Sequence, residues 1–120
     1  MTIDELARLI DASLHRPPVS RERDIRSFSA ADTMSSLIAR ARSDTVLVTS
    51  LNNPQIARVA ELMDVPAICL VSGATPCDAL LVRADAAGTA VLVTAGDLSL
   101  TKRRLSAVMG ESPREAPCSP

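Results

Sequence analysis

Hydrophobic residues follow two rhythms along this chain. Within residues 45–94 three short runs, TVLVT, AICLV and AVLVT, are apolar without alternation. A strand covered on one face alternates between apolar and polar residues, whereas a strand covered on both faces reads as a continuous run. Between the runs the apolar positions are spaced as on a helix. Ile56, Val59, Ala60 and Met63 share one face in the first segment, and Cys77, Leu80, Leu81 and Ala84 in the second. Each segment opens with a cap and a proline. Asn53 is a good N-cap and Pro54 suits the first helical position. Thr75 and Pro76 repeat that arrangement, which puts Cys77 at the second helical position and Asp78 in the first turn. Gly88 reads as the closing residue of the second helix. Parallel strands need a crossover lying on a sheet face. The pattern therefore predicts βαβαβ, with adjacent parallel strands over 46–49, 68–71 and 91–94. The unit recurs about every 22 residues, but three units without a leucine-rich consensus make consecutive βα units of one sheet and not a solenoid.

The flanks add to that sheet. Thr2 and Glu5 form a capping box. Ile3, Leu6, Ala7, Ile10 and Leu14 give a helix expected to run to about Ser13, stopped by Pro17 and Pro18 and leaving His15 solvated beside its end. Residues 19–24 read as a loop, and 25–30 as a weaker strand at a sheet edge, where Arg26 and its serines are tolerated. Asp32 is the expected cap of a helix with Met34, Leu37, Ile38 and Ala41 inward, ending near Arg42. After a turn at Ala95-Gly96-Asp97, Ser99 is the expected cap of a last helix. It carries Leu105, Val108 and Met109 inward and Lys102, Arg103 and Arg104 outward, and Gly110 ends it. The reading is one α/β domain over 1–110, with a mostly parallel sheet of about four strands and helices on both faces, followed by a disordered tail over 111–120.

Composition narrows the function classes. The chain has 120 residues, 47% hydrophobic, with a net charge of −1, which excludes a disordered chain and removes the electrostatic basis for nucleic-acid binding. With one Phe and no Trp or Tyr, it also lacks the aromatic platforms on which single-stranded bases stack. No apolar run reaches the length of a membrane span and the N-terminus is acidic and amphipathic, so no membrane association and a cytoplasmic location are expected. Cys69, Cys77 and Cys118 are odd in number, which argues against a disulfide scaffold and for a reducing compartment.

No complete catalytic motif is present. Gly73, Gly88, Gly96 and Gly110 are too dispersed for a dinucleotide fingerprint, and no phosphate-binding loop of the GxxxxGK type occurs. His15 is the only histidine, so neither a zinc site nor a Ser–His–Asp triad can be assembled with any economy, and neither metal nor cofactor is expected. Cys77 lies where helix N–H groups favour a thiolate, but Asp78 opposes that shift and the apolar helix face suits a small core residue. The candidate site is collective. In an open parallel sheet, ligands bind beyond the carboxyl ends of the strands. Thr49, Ser50, Asn52 and Asn53, then Ser72, Gly73 and Thr75, then Thr94, Gly96 and Asp97 stand there. Helix N-termini attract anions through free N–H groups. Every βα loop also needs such residues for caps and turns, so an anion or nucleotide site and plain capping both stand as readings.

The order of segments, with FSAADTMSSLIA at 28–39 and VLVTSLNNPQIARVAELMDVPAICLVSGATP at 46–76, resembles the DRTGG domain family of small cytoplasmic α/β domains of bacteria and archaea. The similarity spans about residues 2–109, and Ala31-Asp32-Thr33-Met34-Ser35 looks like the family's A-S-D-L-M-S segment. The family occurs as an accessory domain of phosphotransacetylases and of regulated pyrophosphatases, and is similar to the N-terminal domain of HPr kinase/phosphorylase. The acidic and basic residues of its name are absent here. Asn52-Asn53 stands in the corresponding loop, and Ser72-Gly73-Ala74 replaces the T-G-G portion. The resemblance implies a regulatory or assembly role, and the first reading is a non-catalytic regulatory or interaction domain beside a partner enzyme or as a homodimer. Small size, high apolar content and an open sheet edge favour the homodimer over a monomer whose N-terminal helix and 25–30 segment cover that edge. A small-molecule sensor for a nucleotide or phosphorylated metabolite at the strand ends is the alternative. An enzyme using Cys77 is the distant third.

Overall fold

The computed structural model describes residues 1–16 and 24–109. In chain order its elements are α1 (Ile3–Leu9), β1 (Ala12–Arg16), β2 (Ser27–Ala30), α2 (Met34–Ile38), β3 (Thr45–Thr49), α3 (Pro54–Leu62), β4 (Ala67–Leu70), α4 (Asp78–Ala87), β5 (Ala90–Thr94) and α5 (Leu98–Met109). One five-stranded sheet runs β1-β5-β4-β3-β2. Strands β2 to β5 are parallel, and β1 lies antiparallel on β5. The three core strands are thus adjacent and parallel as the periodicity predicts, and the fold is a single α/β domain.

Four parallel strands laid side by side in chain order fix where the helices go. A right-handed crossover repeated in one direction always lands on the same face, so α2, α3 and α4 share a side. On that side Leu37, Ile56, Ala60, Leu80 and Ala84 pack with Leu47, Ile68, Leu70, Val91 and Val93. The opposite face has to be covered from outside the crossovers. Ile3, Leu6 and Ile10 of the N-terminal segment and Leu105 of α5 do this, packing with Phe28, Val46, Val48, Ala67, Cys69, Ala90 and Leu92. Register keeps the two sets apart. Val46 pairs with Ala67 and Ala67 with Ala90 in one row, while Leu47, Ile68 and Val91 form the next row on the other face. This double cover is why the three runs show no alternation: all five residues of β3 and of β5 and all four of β4 are buried.

The N-terminal helix is shorter than its apolar spacing predicts. Its capping box is in place: the Glu5 amide donates to Thr2 Oγ1 at 3.2 Å and the Thr2 amide to Glu5 Oε1 at 2.8 Å. Helix α1 nonetheless ends at Leu9, with Ile10 as C-cap and Asp11 in the left-handed region at φ 53°. Aspartate tolerates that conformation better than most residues, and the chain reverses into β1. His15 is therefore an exposed residue of a strand and not of a helix end. Strand β1 is also the fifth strand, one more than expected, and it covers the edge that β5 would otherwise leave open. The weak strand at 25–30 is β2, on the opposite edge as expected, with Phe28 and Ser29 buried.

Three helix starts also differ from expectation. Helix α2 is capped by Thr33 and not Asp32, without a side-chain bond, and ends at Ile38 and not near Arg42. Helix α4 is capped by Cys77, so Thr75 and Pro76 precede it. Helix α5 starts at Leu98, and Asp97 rather than Ser99 holds its first turn, accepting from the Leu100 amide at 2.8 Å. On α5 Leu105 is buried as expected, but Val108 is 55% exposed. Gly88 closes α4 at φ 73°, as its position predicts. The expected loop at 19–24 falls mostly, and Gly110 with the tail at 111–120 wholly, outside the described residues. Among the described residues no helix is long and apolar enough to cross a membrane.

Candidate functional site at the strand ends

The loops after β3, β4 and β5 are stitched into one rim. Asn52, from the first loop, grips the second: its Nδ2 donates to the Thr75 carbonyl at 2.7 Å, and its Oδ1 accepts from the Cys77 amide at 2.9 Å. The second loop grips the third through backbone. The Ser72 amide donates to the Gly96 carbonyl at 2.8 Å and the Gly73 amide to the Thr94 carbonyl at 2.9 Å. These bonds require a sharp bend after β4, and Ser72 and Gly73 supply it with consecutive left-handed conformations, φ 59° and 65°. Glycine adopts that conformation freely, while an L-residue such as Ser72 costs about 1–2 kcal/mol there. A Cβ at Gly73 would meet nothing within 4 Å, so backbone conformation and not space calls for glycine.

The ten candidate residues thus fall together, in two groups. Five have their side chains engaged in hydrogen bonds. The Thr49 hydroxyl accepts from the Leu51 amide at 3.1 Å, and the buried Thr94 hydroxyl donates to the Ile10 carbonyl at 2.7 Å. Asn52 makes the clamp just described. Asn53 Oδ1 accepts from the Gln55 and Ile56 amides at 3.0 and 3.3 Å, as its cap position predicts, and Asp97 caps α5. The other five hold the rim through backbone or not at all: Ser50, Ser72, Gly73 and Thr75 are exposed, and Gly96 is half-buried. Of the three helices that begin here, α3 and α5 have side-chain caps and α4 has none. The first turn of α4 is where donors remain, beside the carboxylate of Asp78.

The two described cysteines differ sharply. Cys69 is fully buried in β4, and burial pushes its thiol up to about 12. Since the thiolate is the nucleophile, Cys69 is expected to stay unlabelled by a thiol reagent at neutral pH and to label fully in urea, as read by peptide mass mapping. Equal labelling in both conditions would show that β4 opens easily. Cys77 is half-buried, packed against the cluster beneath α3 and α4. Among the described residues no group of three or more His, Cys, Asp or Glu could hold a metal ion.

No protein-family model matches the chain, and no curated protein matches it in sequence. Among solved structures, one similar in fold is the crystal structure of the CBS and DRTGG domains of the regulatory region of Clostridium perfringens pyrophosphatase, in complex with its activator diadenosine tetraphosphate. The TM-score is 0.64 at 15% identity, over 87% of this chain. The match covers 45% of that structure, so this chain spans less than half of its length. In fold, then, the chain is similar to part of a regulatory region built from CBS and DRTGG domains.

Proposed function

We propose that this chain is a non-catalytic regulatory domain whose signal is a nucleotide or another phosphorylated small molecule, taken at the rim formed by the loops after β3, β4 and β5. The observation that carries the reading is the stitched rim itself. The side chains of Asn52, Asn53 and Asp97 brace the loops, while exposed Ser50, Ser72 and Thr75 stand beside the uncapped first turn of α4. A pre-organised loop set loses little entropy on binding. The neighbouring structure supports the same reading, being a regulatory region in complex with a nucleotide activator. The rim segments 49–53, 72–78 and 94–97 contain no Lys or Arg. Phosphate would be held by N–H and hydroxyl donors, and binding would depend weakly on salt.

The domain would pass its signal on as a homodimer or by contact with a partner enzyme. The homodimer is supported by an α/β domain of this size having little spare surface with which to bury a wide sheet. Thermal denaturation against a panel of AMP, ADP, ATP and diadenosine tetraphosphate tests the sensor reading. A ligand at 100 times its dissociation constant should add about 2.7 kcal/mol, and the nucleotide should be recovered unchanged. If no nucleotide or inorganic phosphate shifts the transition, the sensor reading falls and an interaction module remains. Turnover of the nucleotide would overturn the non-catalytic assignment.

A further inference from the structure

The outward side of α4 is apolar where a solvated helix is normally polar. Leu80 and Ala84 face inward and are fully buried, which leaves the opposite side for charge. That side instead presents Ala79, Val82 and Ala86, all exposed, Val82 at 66%. With Pro54 and Glu61 of α3, and with Asp78 and Arg83, they line an open groove of about 680 Å³. Leu62 of α3 is a further large exposed apolar side chain, at 77%.

The spacing of these residues is specific. Ala79, Val82 and Ala86 are three and then four apart, the a, d, a seam of a heptad. The inward Leu80, Leu81 and Ala84 take positions b, c and f. Arg83 then falls at e, and Asp78 and Asp85 at g. Among the described residues neither the Asp78 nor the Arg83 side chain has an ion-pair partner.

We propose that this seam and groove form the two-fold interface between two copies of the chain, with the α4 helices packed parallel to each other. The charges select both the occupant and its direction. In a parallel pair, g faces the e position five residues on in the other helix, so Asp78 meets the partner's Arg83, and the contact repeats by symmetry. In an antiparallel pair e faces e and g faces g, setting Arg83 against its own copy and aspartate against aspartate. A closed two-fold pairing also covers Val82 on both copies at once. Parallel pairing sets the carboxyl ends of both sheets, and so both rims, on the same side of the dimer. The inference rests on the homodimer proposed above and assigns its interface.

Light scattering with refractive-index detection tests both levels, since a chain without Trp or Tyr absorbs little ultraviolet light. The full chain is expected at twice 12.7 kDa at tens of micromolar, and Val82→Lys at the monomer mass. Asp78→Arg and Arg83→Asp should each weaken the dimer about tenfold or more, and the double reversal should restore it, as coupled charge pairs do. Circular dichroism melts establish that each variant folds. A monomeric wild type overturns the homodimer and this interface together. A dimer indifferent to Val82→Lys and to the single reversals overturns the interface alone. Tighter association by Asp78→Arg, which would relieve aspartate set against aspartate, overturns the parallel direction.

Discussion

Replacing Leu105 by Ala is expected to destabilise the domain by about 2–5 kcal/mol, the range for truncating a buried leucine. Helix α5 follows β5 and belongs to no crossover between strands of the sheet. Its docking rests on the side chains it packs on the sheet: Thr101 and Leu105 are buried, Leu105 completely, and Leu98 and Met109 pack partly buried against the same cluster. Leu105 belongs to the buried cluster that includes Val46, Ala67, Cys69, Ala90 and Leu92. Domains of this kind have about 5–15 kcal/mol in total, so the variant should lose a large share of its stability in urea titration. Cys69 gives an independent reading. Its thiol is protected as long as the face is covered, and each 1.4 kcal/mol of lost stability raises the open population about tenfold. Labelling of Cys69 should accelerate on the order of 30-fold or more at the low end of that range. A loss under about 1 kcal/mol would mean that α5 is held by something other than its leucine.

What was legible in the sequence follows from how local the determining physics is. The core strands were readable because burial on both faces writes itself as an unbroken apolar run, in TVLVT, AICLV and AVLVT alike. The start of α3 was readable because Asn53 caps its own helix through its own side chain. Strand β1 is hidden in the sequence because Leu14 continues the helical spacing of Ile10, and the residue that breaks the helix is Asp11 rather than glycine. A signal was present: Ala12, Ser13, Leu14 and His15 alternate half-buried and exposed, the period of an edge strand. The start of α4 was displaced for a different reason. The Cys77 amide is satisfied by Asn52, 25 residues away, and no reading of Thr75-Pro76 in isolation can supply that contact. At the candidate site the residue types place the ten residues at the carboxyl ends of the strands, but which of their side chains are already engaged depends on contacts such as Thr94 to Ile10, 84 residues apart.

Asn52 carries the last expectation. Its amide closes two hydrogen bonds at once, donating to the Thr75 carbonyl and accepting from the Cys77 amide, and so it bridges the loop after β3 to the entry of α4. Asn52→Ala removes both. Each such bond contributes about 0.5–1.5 kcal/mol net, and Thr75 and Cys77 keep partial access to water, so a loss of about 1–3 kcal/mol is expected. The pattern of the loss is more telling than its size. The Cys77 amide should lose its protection from hydrogen exchange, while those of β4, whose partners lie in β3 and β5, keep theirs up to the lowered global stability. Because the clamp pre-organises the rim, any nucleotide-induced shift of the melting transition should shrink in the same variant. A Cys77 amide that stays protected, with stability within about 0.5 kcal/mol of the parent, would show that the loops keep their places without Asn52.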